Sequence, residues 1–593
     1  MTPPPPATAD SGFLFTPPAL QNQYLADPAL QGILAHYLPA PHLTRITPDL
    51  INIGQRAVSD IAHWGDNAER HPPTLTQYDH WCRRVDRLET SEGWRWMKGM
   101  AAREGLVAIA YDQGRRDLGE HARIYQFAKL FIASPSMAMY SCPLAMTDGA
   151  ARLVELYGTE EMKQGAFKRL TSRDPTQFWT SGQWMTERPG GSDVGGTETV
   201  AVKTDTNDND WRVSGFKWFS SATDSDMTFL LARTLESPTH KGTPGSKGLS
   251  LFYSELRKPD GELNGIRIHR LKNKLGTRAL PTAELELHNL PGTPIGTPNR
   301  GVATISVILN ITRIYSAMGA ASHLQRALSI AKGYAESRVV FGKRLKEQPL
   351  HSATLAEVAL TLRGCTLLLF YAVKLLGESE CSPHPAARQR STTLLRLTTP
   401  LLKMYVCHSA VPAISEALEA CGGQGYMEET GLARQLRDAQ VNAIWEGTTN
   451  VQALDVLKIV ATTFPVYAET VRGMVDTGRE TYPHAVAVLT TALERIEGFV
   501  ARLPAASPGY RERHARTLGF AMARVLIGAL LVEHAVVLRG MGHGDAEASG
   551  VAVGRWCARV GDLVGGLGEE EEGGDGRGDD VLVYGRAIAN PKL

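Results

Sequence analysis

The hydrophobic pattern of this chain changes its period twice, and this order constrains the fold more than any other feature. From about Pro28 to Gly165 apolar residues recur at the three-and-four spacing of helices, as in WRWMKGMAAREGLVAIAYDQ. From about Phe178 to Pro298 short alternating segments such as WRVSGFKWFSS and TAELELHNL predict antiparallel strands in a sandwich or barrel. After Gly301 the helical spacing returns. The pattern therefore predicts an α+β fold with an all-helical first region, a β middle and a helical C-terminal part.

The domain boundaries are placed where this pattern changes, because 593 residues favour several domains. We predict an N-terminal helical domain over 1–177, a β domain over 178–298, a helical domain over 299–464 and a helical extension over 465–593. The extension contains GGLGEEEEGGDGRGDD, whose charge and glycine content cannot support a core. This run predicts an acidic, solvated loop.

Charge and cysteine content favour small-molecule chemistry in a reducing compartment. The net charge of +1 gives no global reason to expect nucleic acid or an anionic membrane as the main partner. The seven cysteines form no CxxC pair and are too scattered for a disulfide framework. No His, Cys and Asp spacing indicates a metal site. No run of about 18 uncharged apolar residues occurs, which predicts no membrane-spanning segment.

The two ends of the chain bear on localisation. The start, MTPPPPATAD, is Pro-rich and unlike the charged flank and apolar core of a secretory signal. The last residues, Pro591-Lys592-Leu593, resemble a permissive variant of the C-terminal peroxisomal address. We therefore expect a peroxisomal protein, with the cytoplasm as the alternative.

Two motifs in the β region suit a ligand with a ring and an anionic group. In WMTERPGGSD the adjacent glycines let backbone N–H groups converge on an anion, and Thr186 and Ser192 add hydroxyl donors. In KWFSS, Trp218 and Ser220 offer an aromatic face beside a hydroxyl. Taken alone, the first motif would fit a hairpin loop and the second a core tryptophan.

Six motifs in order carry a resemblance to a known family: WMTERPGGSDVGGT, KWFSS, KNKLGTRALPTAELEL, ESRVVFGKRL, ACGGQGYMEE and IWEGTTN. Between about Phe178 and Leu457 the chain resembles the acyl-CoA dehydrogenase and oxidase superfamily. Within this superfamily the chain most resembles the AidB-type branch, the alkylation-response flavoproteins. Three features carry this resemblance: the long helical region before the motifs, the extra C-terminal part, and the segments MTERPGGSD, HRLKNKLGTR and IWEGTTNVQALDVL. The resemblance implies N-terminal helices, a middle β-barrel and a C-terminal four-helix bundle, with FAD at their junction.

The resemblance also assigns roles at the flavin. It implies that the Met185 and Thr186 segment contacts the isoalloxazine ring and that Ser192 contacts the pyrophosphate. Trp218 and Ser220 would then flank the ring on its other side.

For the dinucleotide half of FAD, the resemblance implies a second subunit. Arg338 and Phe341 in RVVFG match the family's arm to the adenosine half of FAD in a neighbouring subunit, so a homo-oligomer, a tetramer of paired dimers, is implied. Gly423, Thr448 and Asn450 match positions that line the dinucleotide. Asn450 departs from the family, where Gln is frequent.

Glu446, in IWEGTTN, resembles the family's catalytic base. Removing an α-proton from a thioester while a hydride leaves the β-carbon needs a base, and a desolvated carboxylate with a raised pKa suits that task. The alternative for Glu446 is an exposed turn. The family's second base position is Thr312 here, which cannot serve as a carboxylate. The neighbouring Arg313 fits either a catalytic role or an ion pair within the bundle.

Several functions follow from these motifs. The first is FAD-dependent α,β-desaturation of an acyl-CoA, and no residue separates a dehydrogenase from an oxidase that uses O₂. The second is an AidB-like DNA-binding protein with little turnover, which needs a basic face. Acidic residues outnumber basic ones after Pro465, although Arg511, Arg513 and Arg516 form a local basic patch. The third is a flavin-bound scaffold without turnover.

Overall fold

The computed structural model describes residues 6–10, 17–204, 210–235, 242–558, 563–567 and 577–585. The C-terminal tripeptide Pro591-Lys592-Leu593 and most of the predicted acidic loop lie outside the described residues. The described part follows the predicted order of helices, sheet and helices.

The N-terminal region is a helical layer interrupted by one hairpin. Its elements are α1 (Pro28–Tyr37), α2 (Ala40–Arg56), α3 (Asp60–Arg70), β1 (Thr74–Tyr78), β2 (Arg84–Glu89), α4 (Glu92–Arg103), α5 (Gln113–Leu118), α6 (Ala122–Ala133), α7 (Ser141–Tyr157), α8 (Glu160–Met162) and α9 (Lys168–Leu170). The apolar stripes of these helices share one core with the C-terminal helices.

The prediction of an all-helical first region is wrong at the β1–β2 hairpin. The segment TLTQY contains two threonines and a tyrosine, residue types that favour a strand. The Asp79 carboxylate then accepts hydrogen bonds from the backbone N–H groups of Trp81 and Arg83 and closes the turn between the strands. The side chain of Gln77 donates to the carbonyls of Ile268 and His269, so the hairpin packs on the middle sheet.

The middle region is a closed barrel. Its strands are β3 (Ser181–Trp184), β4 (Val200–Lys203), β5 (Trp211–Ser221), β6 (Met227–Leu235), β7 (Leu249–Glu255), β8 (Ile266–Leu271) and β9 (Thr282–Ile295). Pairings run from β6 through β4, β5, β9 and β7 back to β6, which closes the ring, and β8 pairs with β9.

The predicted antiparallel arrangement holds for five pairings, but β3 and β4 both run parallel to β6. The two strands lie end to end along one edge of β6, because β3 pairs with residues 227–230 and β4 with residues 233–235. The glycine-rich segment between them therefore continues forward overall, with one tight local turn in which the backbones of Glu187 and Gly190 are hydrogen-bonded to each other. It leaves β3 toward the bundle side of the barrel.

The C-terminal region consists of long helices. They are α10 (Gly301–Ser337), α11 (Pro349–Cys381), α12 (Pro385–Glu419), α13 (Leu432–Asn442), α14 (Thr449–Asp476), α15 (Pro483–Arg502), α16 (Pro508–Met541), α17 (Ala546–Ala558) and α18 (Arg577–Tyr584), with a small hairpin of β10 (Val339–Val340) and β11 (Lys343–Arg344) after α10. Helices α10, α11, α12 and α14 pack together, and α16 packs against α14. The boundary predicted at residue 464 falls inside α14, which continues through Pro465.

Helices α10, α11, α14 and α16 are long and apolar enough to cross a membrane by length and composition. Their most apolar windows are 61%, 72%, 44% and 78% buried inside the protein, respectively. The apolar surface of these helices is therefore largely used to build the bundle core. The absence of a membrane-spanning segment stays a prediction.

Candidate active site

A cavity of 1040 Å³ lies where the barrel, α7, α10 and the loop between α13 and α14 meet. Its wall includes Met185, Thr186 and Ser192 from the segment after β3, and Arg313, Glu446 and Thr448 from the bundle. Thr448 is the N-cap residue of α14, so this helix begins at the cavity. Six of the twelve predicted site residues thus line one cavity.

Glu446 and Gly447 form a turn with an unusual backbone. Their φ angles are +58° and +95°, in the left-handed region that a non-glycine residue such as Glu446 rarely adopts. Three buried donors hold this turn. The carbonyl of Glu446 accepts from Arg313 Nε at 3.3 Å and from Gln452 Nε2 at 2.9 Å, and the carbonyl of Gly447 accepts from Lys403 Nζ. The strained turn is therefore fixed from α10, α12 and α14.

The Glu446 side chain meets the requirements of a general base. Its Oε2 atom is buried and has no hydrogen-bond partner among the residues that the structure describes. Burial raises the pKa of this carboxyl, and Thr312, Arg313, Lys403 and Gln183 act in the opposite direction. A carboxylate with a raised pKa and one unused oxygen is able to accept a proton.

Arg313 serves the structure of this turn. Its Nη1 atom lies 3.1 Å from Asp455 Oδ2, and Arg396 pairs with the same carboxylate at 2.6 Å. Asp455 and the Glu446 carbonyl therefore share the hydrogen bonds of Arg313. Of the two roles left open for Arg313, the structure shows the ion pair within the bundle.

The cavity-facing residues of β5 differ from the prediction. Phe219 and Ser221 line the cavity, whereas Trp218 and Ser220 do not. Successive side chains of a strand point to opposite faces, so a shift of one residue exchanges the whole set. Trp218 packs under the Lys272 ammonium, 3.3 Å from the ring centroid, outside the cavity. The placement of Trp218 and Ser220 beside a bound ring stays a prediction, and their neighbours Phe219 and Ser221 line the cavity.

Four other predicted residues lie away from the cavity wall: Arg338, Phe341, Gly423 and Asn450. Phe341 stands at the tip of the β10–β11 hairpin and is 97% exposed. Gly423 is exposed in the short helical turn after α12. The Oδ1 atom of Asn450 accepts from Arg516 Nη1 at 3.0 Å.

Sequence reasoning missed a group of polar residues at this site. Gln183 and Asn442 line the cavity, and Trp445, which the motif does include, lines it as well. Each carries a buried polar atom without a hydrogen-bond partner among the described residues: Gln183 Oε1, Asn442 Nδ2 and Trp445 Nε1. Buried Lys403 was also missed, although a single lysine in the apolar run TTPLLKMYVC was a usable signal. The described residues contain no group of His, Cys, Asp or Glu suited to hold a metal ion.

Comparison with protein families accounts for nearly the whole chain. Residues 182–290 match the acyl-CoA dehydrogenase middle domain and residues 299–461 its C-terminal domain. Residues 16–174 match the N-terminal domain of adaptive response protein AidB, and residues 462–571 match an acyl-CoA dehydrogenase 11 C-terminal domain-like model. The chain belongs to the acyl-CoA dehydrogenase family.

Individual relatives support the AidB-like branch of this family. Acyl-CoA dehydrogenase family member 11 of Caenorhabditis elegans is 43% identical over 537 residues, which cover 88% of this chain and 86% of that protein. The crystal structure of this relative, ACDH-11, in complex with C11-CoA superposes with a TM-score of 0.87 and 94% coverage of both chains at 40% identity. The putative acyl-CoA dehydrogenase AidB of Escherichia coli is 31% identical over 70% of this chain and 75% of that protein.

A more distant structure shares the fold of this acyl-CoA dehydrogenase family member. It is an acyl-CoA dehydrogenase of Bacillus anthracis complexed with FAD, with a TM-score of 0.65 at 18% identity, covering 80% of this chain and 81% of that chain. The fold prediction, with N-terminal helices, a middle sheet and a helical C-terminal region, is confirmed.

Proposed function

We propose that this protein is an FAD-dependent acyl-CoA dehydrogenase that desaturates an acyl-CoA thioester at its α,β bond, with Glu446 as the base. The observation that carries the proposal is the Glu446 carboxylate. It faces a cavity of 1040 Å³, and its buried Oε2 atom has no hydrogen-bond partner among the described residues. Such an atom lowers stability unless a ligand uses it.

The residues at the cavity fit FAD. The wall on the barrel side combines apolar Met185, the aromatic ring of Phe219 and the hydroxyls of Thr186, Ser192 and Ser221. A flat ring with polar edges needs this combination of apolar faces and hydroxyl donors. The cavity also lies at the upper end of the roughly 300–1,000 Å³ that ligand sites occupy, which suits a cofactor and a substrate side by side.

The reaction assigns a separate task to each side of the cavity. Met185, Thr186 and Ser192 on the barrel side would hold FAD, which would supply the acceptor for the hydride that leaves the β-carbon. Glu446 Oε2 takes the proton from the α-carbon, and the C–H electrons form the new double bond. Arg313, Gln452 and Lys403 keep the Glu446 turn in its strained conformation, so the carboxylate needs no reorganisation when the substrate arrives. Burial keeps the pKa of Glu446 raised, which makes it a stronger base.

The substrate class is an acyl-CoA, supported by the C11-CoA complex of the related C. elegans protein. Apolar residues beside Glu446, including Leu309 and Trp445, suit the carbon chain.

A homo-oligomer completes the proposal. The exposed Phe341 and Tyr426 side chains, 97% and 89% accessible, are aromatic surfaces that a neighbouring subunit would cover. Arg338 and Phe341 would then contact the adenosine half of FAD in that subunit. Gel filtration with light scattering tests this proposal, and a monomer with bound FAD would contradict it. The peroxisomal address is tested by the localisation of a fluorescent fusion that keeps the C-terminal tripeptide free.

The test of the reaction is anaerobic reduction of the bound flavin. We expect the protein to purify with a flavin spectrum, and one member of a panel of C11-CoA, a short straight-chain acyl-CoA and a branched acyl-CoA to bleach it. Glu446→Gln should bind the flavin and remain unbleached. If no acyl-CoA bleaches the wild-type flavin, the desaturase proposal fails and the DNA-binding alternative is next to test. Admitting air after bleaching distinguishes an oxidase from a dehydrogenase.

A further inference from the structure

Gln183 occupies a place in the cavity that the family motifs do not assign. It lies on β3, and its side chain is on the same face as that of Met185, two residues later, since alternate residues of an extended segment share a face. Trp184 between them points into the barrel core. The strand thus presents one long carboxamide to the cavity opposite the Glu446 turn.

The carboxamide of Gln183 does not secure the barrel. Gln183 is 9% exposed, and its Oε1 atom is buried without a hydrogen-bond partner among the described residues. A buried amide with an unused oxygen is a cost that a purely structural position would avoid by carrying an apolar residue. Its amide end and the Thr312 hydroxyl line the same cavity as the Glu446 carboxyl group. Burial raises the pKa of that carboxyl, and Thr312 and Gln183 act in the opposite direction.

We propose that Gln183 is a positioning residue for Glu446: its amide, together with the Thr312 hydroxyl, holds the carboxylate toward the substrate side of the cavity and favours its ionised form. This inference rests on the proposed function, since it concerns the base of that reaction. Gln183 belongs to the barrel and Thr312 to α10, so the carboxylate is held from two directions. The backbone of the same turn is held separately by Arg313, Gln452 and Lys403.

The Thr312 hydroxyl has one proton and two acceptors within reach. In the structure it is directed to the Leu309 carbonyl at 3.3 Å, a long hydrogen bond. An ionised carboxylate is a stronger acceptor than a carbonyl, so the proton turns to Glu446 when that group loses its own. Thr312 therefore favours the carboxylate over the acid.

Other titratable groups also face Glu446 from the elements packed around it, and they belong in any interpretation of its pH dependence. They are Cys142 on α7, Lys274 in the barrel loop, Arg313 on α10, Lys403 on α12 and Asp455 on α14. Burial raises the pKa of Cys142 to about 12 and lowers that of Lys274 to about 8. Cys142 thus stays neutral through the range in which Glu446 titrates.

The test replaces the amide and follows the titration of the base. Gln183→Met keeps the length of the side chain and removes its donor. We expect the pH midpoint of the flavin bleaching rate to rise by about one unit, the effect of one hydrogen bond to a charged group. Well below the midpoint the rate falls about tenfold, and the plateau at high pH is unchanged. The acyl-CoA that bleaches the wild-type protein fastest is the probe.

Two further variants separate positioning from general damage. Gln325→Met is the matched control, because Gln325 is also nearly buried, at 8% exposure, and donates to Ser329 on α10 away from the base. It should leave the midpoint in place. Thr312→Val should raise the midpoint as Gln183→Met does, and Thr312→Ser should restore it.

A measurement without turnover completes the design. The infrared band of the protonated carboxyl group, taken as the difference between wild type and Glu446→Gln, reports the titration of Glu446 in protein without substrate. It should move upward in pH in Gln183→Met. An unmoved midpoint in both assays would overturn the positioning role while the base assignment stands. Bleaching of Glu446→Gln at the wild-type rate would instead remove the proposed function itself.

Discussion

Two carboxylates at the edge of the barrel, Glu187 and Glu446, have opposite surroundings. Glu187 accepts from Lys217 Nζ at 2.6 Å, from the Thr199 hydroxyl at 2.5 Å and from the backbone N–H of Glu198 at 2.7 Å. Burial acts to raise its pKa, but Lys217 and these donors overcome burial and the pKa is lowered. Glu446 is held through its backbone, keeps one oxygen unpartnered and has a raised pKa.

The difference separates a structural acid from a reactive one. Glu187 uses both oxygens to join the segment after β3 to β5, so its charge is fully compensated and unavailable to a ligand. At Glu446 the cations Arg313 and Lys403 donate to backbone carbonyls of the turn, so the carboxylate is left to face the cavity. The position of a carboxylate near the barrel therefore does not predict whether it reacts. The presence of an oxygen without a hydrogen-bond partner, as in Glu446, is the better indication.

The largest expected effect comes from replacing Glu446, the reactive carboxylate of this comparison. Glu446→Gln should lower the bleaching rate by about 10² to 10⁴-fold, the usual contribution of a general base. Its melting temperature should be equal to or above that of wild type, because a desolvated charge is removed. Stopped-flow absorbance and a thermal melt on the same preparation check both statements. A clear loss of stability would show that Glu446 is structural, like Glu187.

Replacing Lys217, the cation that pairs with Glu187, should destabilise the fold rather than abolish the reaction. Lys217 is 0% exposed and its Nζ also donates to the Leu231 carbonyl at 2.9 Å. Lys217→Met leaves Glu187 buried and uncompensated, which should cost about 3–5 kcal/mol of unfolding free energy. Denaturant unfolding measures it. Lys272→Met is the control, because Arg270 also pairs with Glu284, at 2.7 Å, and still compensates this buried carboxylate, so the variant should cost only about 1 kcal/mol.

A double variant sharpens the same comparison. Adding Glu187→Gln to Lys217→Met removes the stranded charge while an amide oxygen still accepts from the backbone N–H groups. We expect it to recover about 2 kcal/mol relative to Lys217→Met alone. Burial lowers the pKa of Lys217 despite its partner, which shows how costly this desolvation is. If the losses of unfolding free energy from Lys217→Met and Glu187→Gln simply add in the double variant, that result would contradict the charge compensation described for this pair.

The smallest expected effect is on the pH dependence of stability, which has opposite signs for Glu187 and Glu446. Glu187 has a lowered pKa, so its contribution to stability is present at neutral pH and is lost as the pH falls through that pKa. Glu446 has a raised pKa, so wild type gains stability relative to Glu446→Gln as the pH falls through it. Melting temperatures of wild type, Glu187→Gln and Glu446→Gln are compared from about pH 7 to about pH 3. As the pH falls, the advantage of wild type over Glu187→Gln should shrink, and the stability of wild type relative to Glu446→Gln should rise. Parallel profiles would contradict the two assignments.

Much of this site was accessible from the sequence because its motifs are local. Met185, Thr186 and Ser192 fall in one glycine-rich segment, and Glu446 and Thr448 fall in another, so their chain spacing brings them to one cavity. In KWFSS, aromatic and hydroxyl residues are adjacent on both faces of the strand. The sequence alone therefore did not decide which face meets the cavity, and the structure places Phe219 and Ser221 in the cavity wall.

The rest depended on contacts between distant segments. Lys403 reaches the Glu446 turn from α12, and Gln183 lines the same cavity from β3, and no spacing in the chain relates either residue to the turn. Gln452 is the local exception, since it lies six residues after Glu446. The β1–β2 hairpin was missed for another reason. Its two strands are short and lie between strong helical patterns. The hairpin gains stability from hydrogen bonds to β8 that local sequence does not encode.

The hydrogen bond from Thr277 N–H to Asp438 Oδ1, at 2.6 Å, joins the loop after β8 to the helix that leads into Glu446. It bears on how such proteins diversify by recombination. The four family models divide the chain at domain boundaries, as though each part were an exchangeable module. The base and the wall that faces it belong to different modules. A chimera with a foreign barrel would fold without being active, and the first repair would be to restore the backbone of the loop at Thr277 so that its N–H again reaches Asp438.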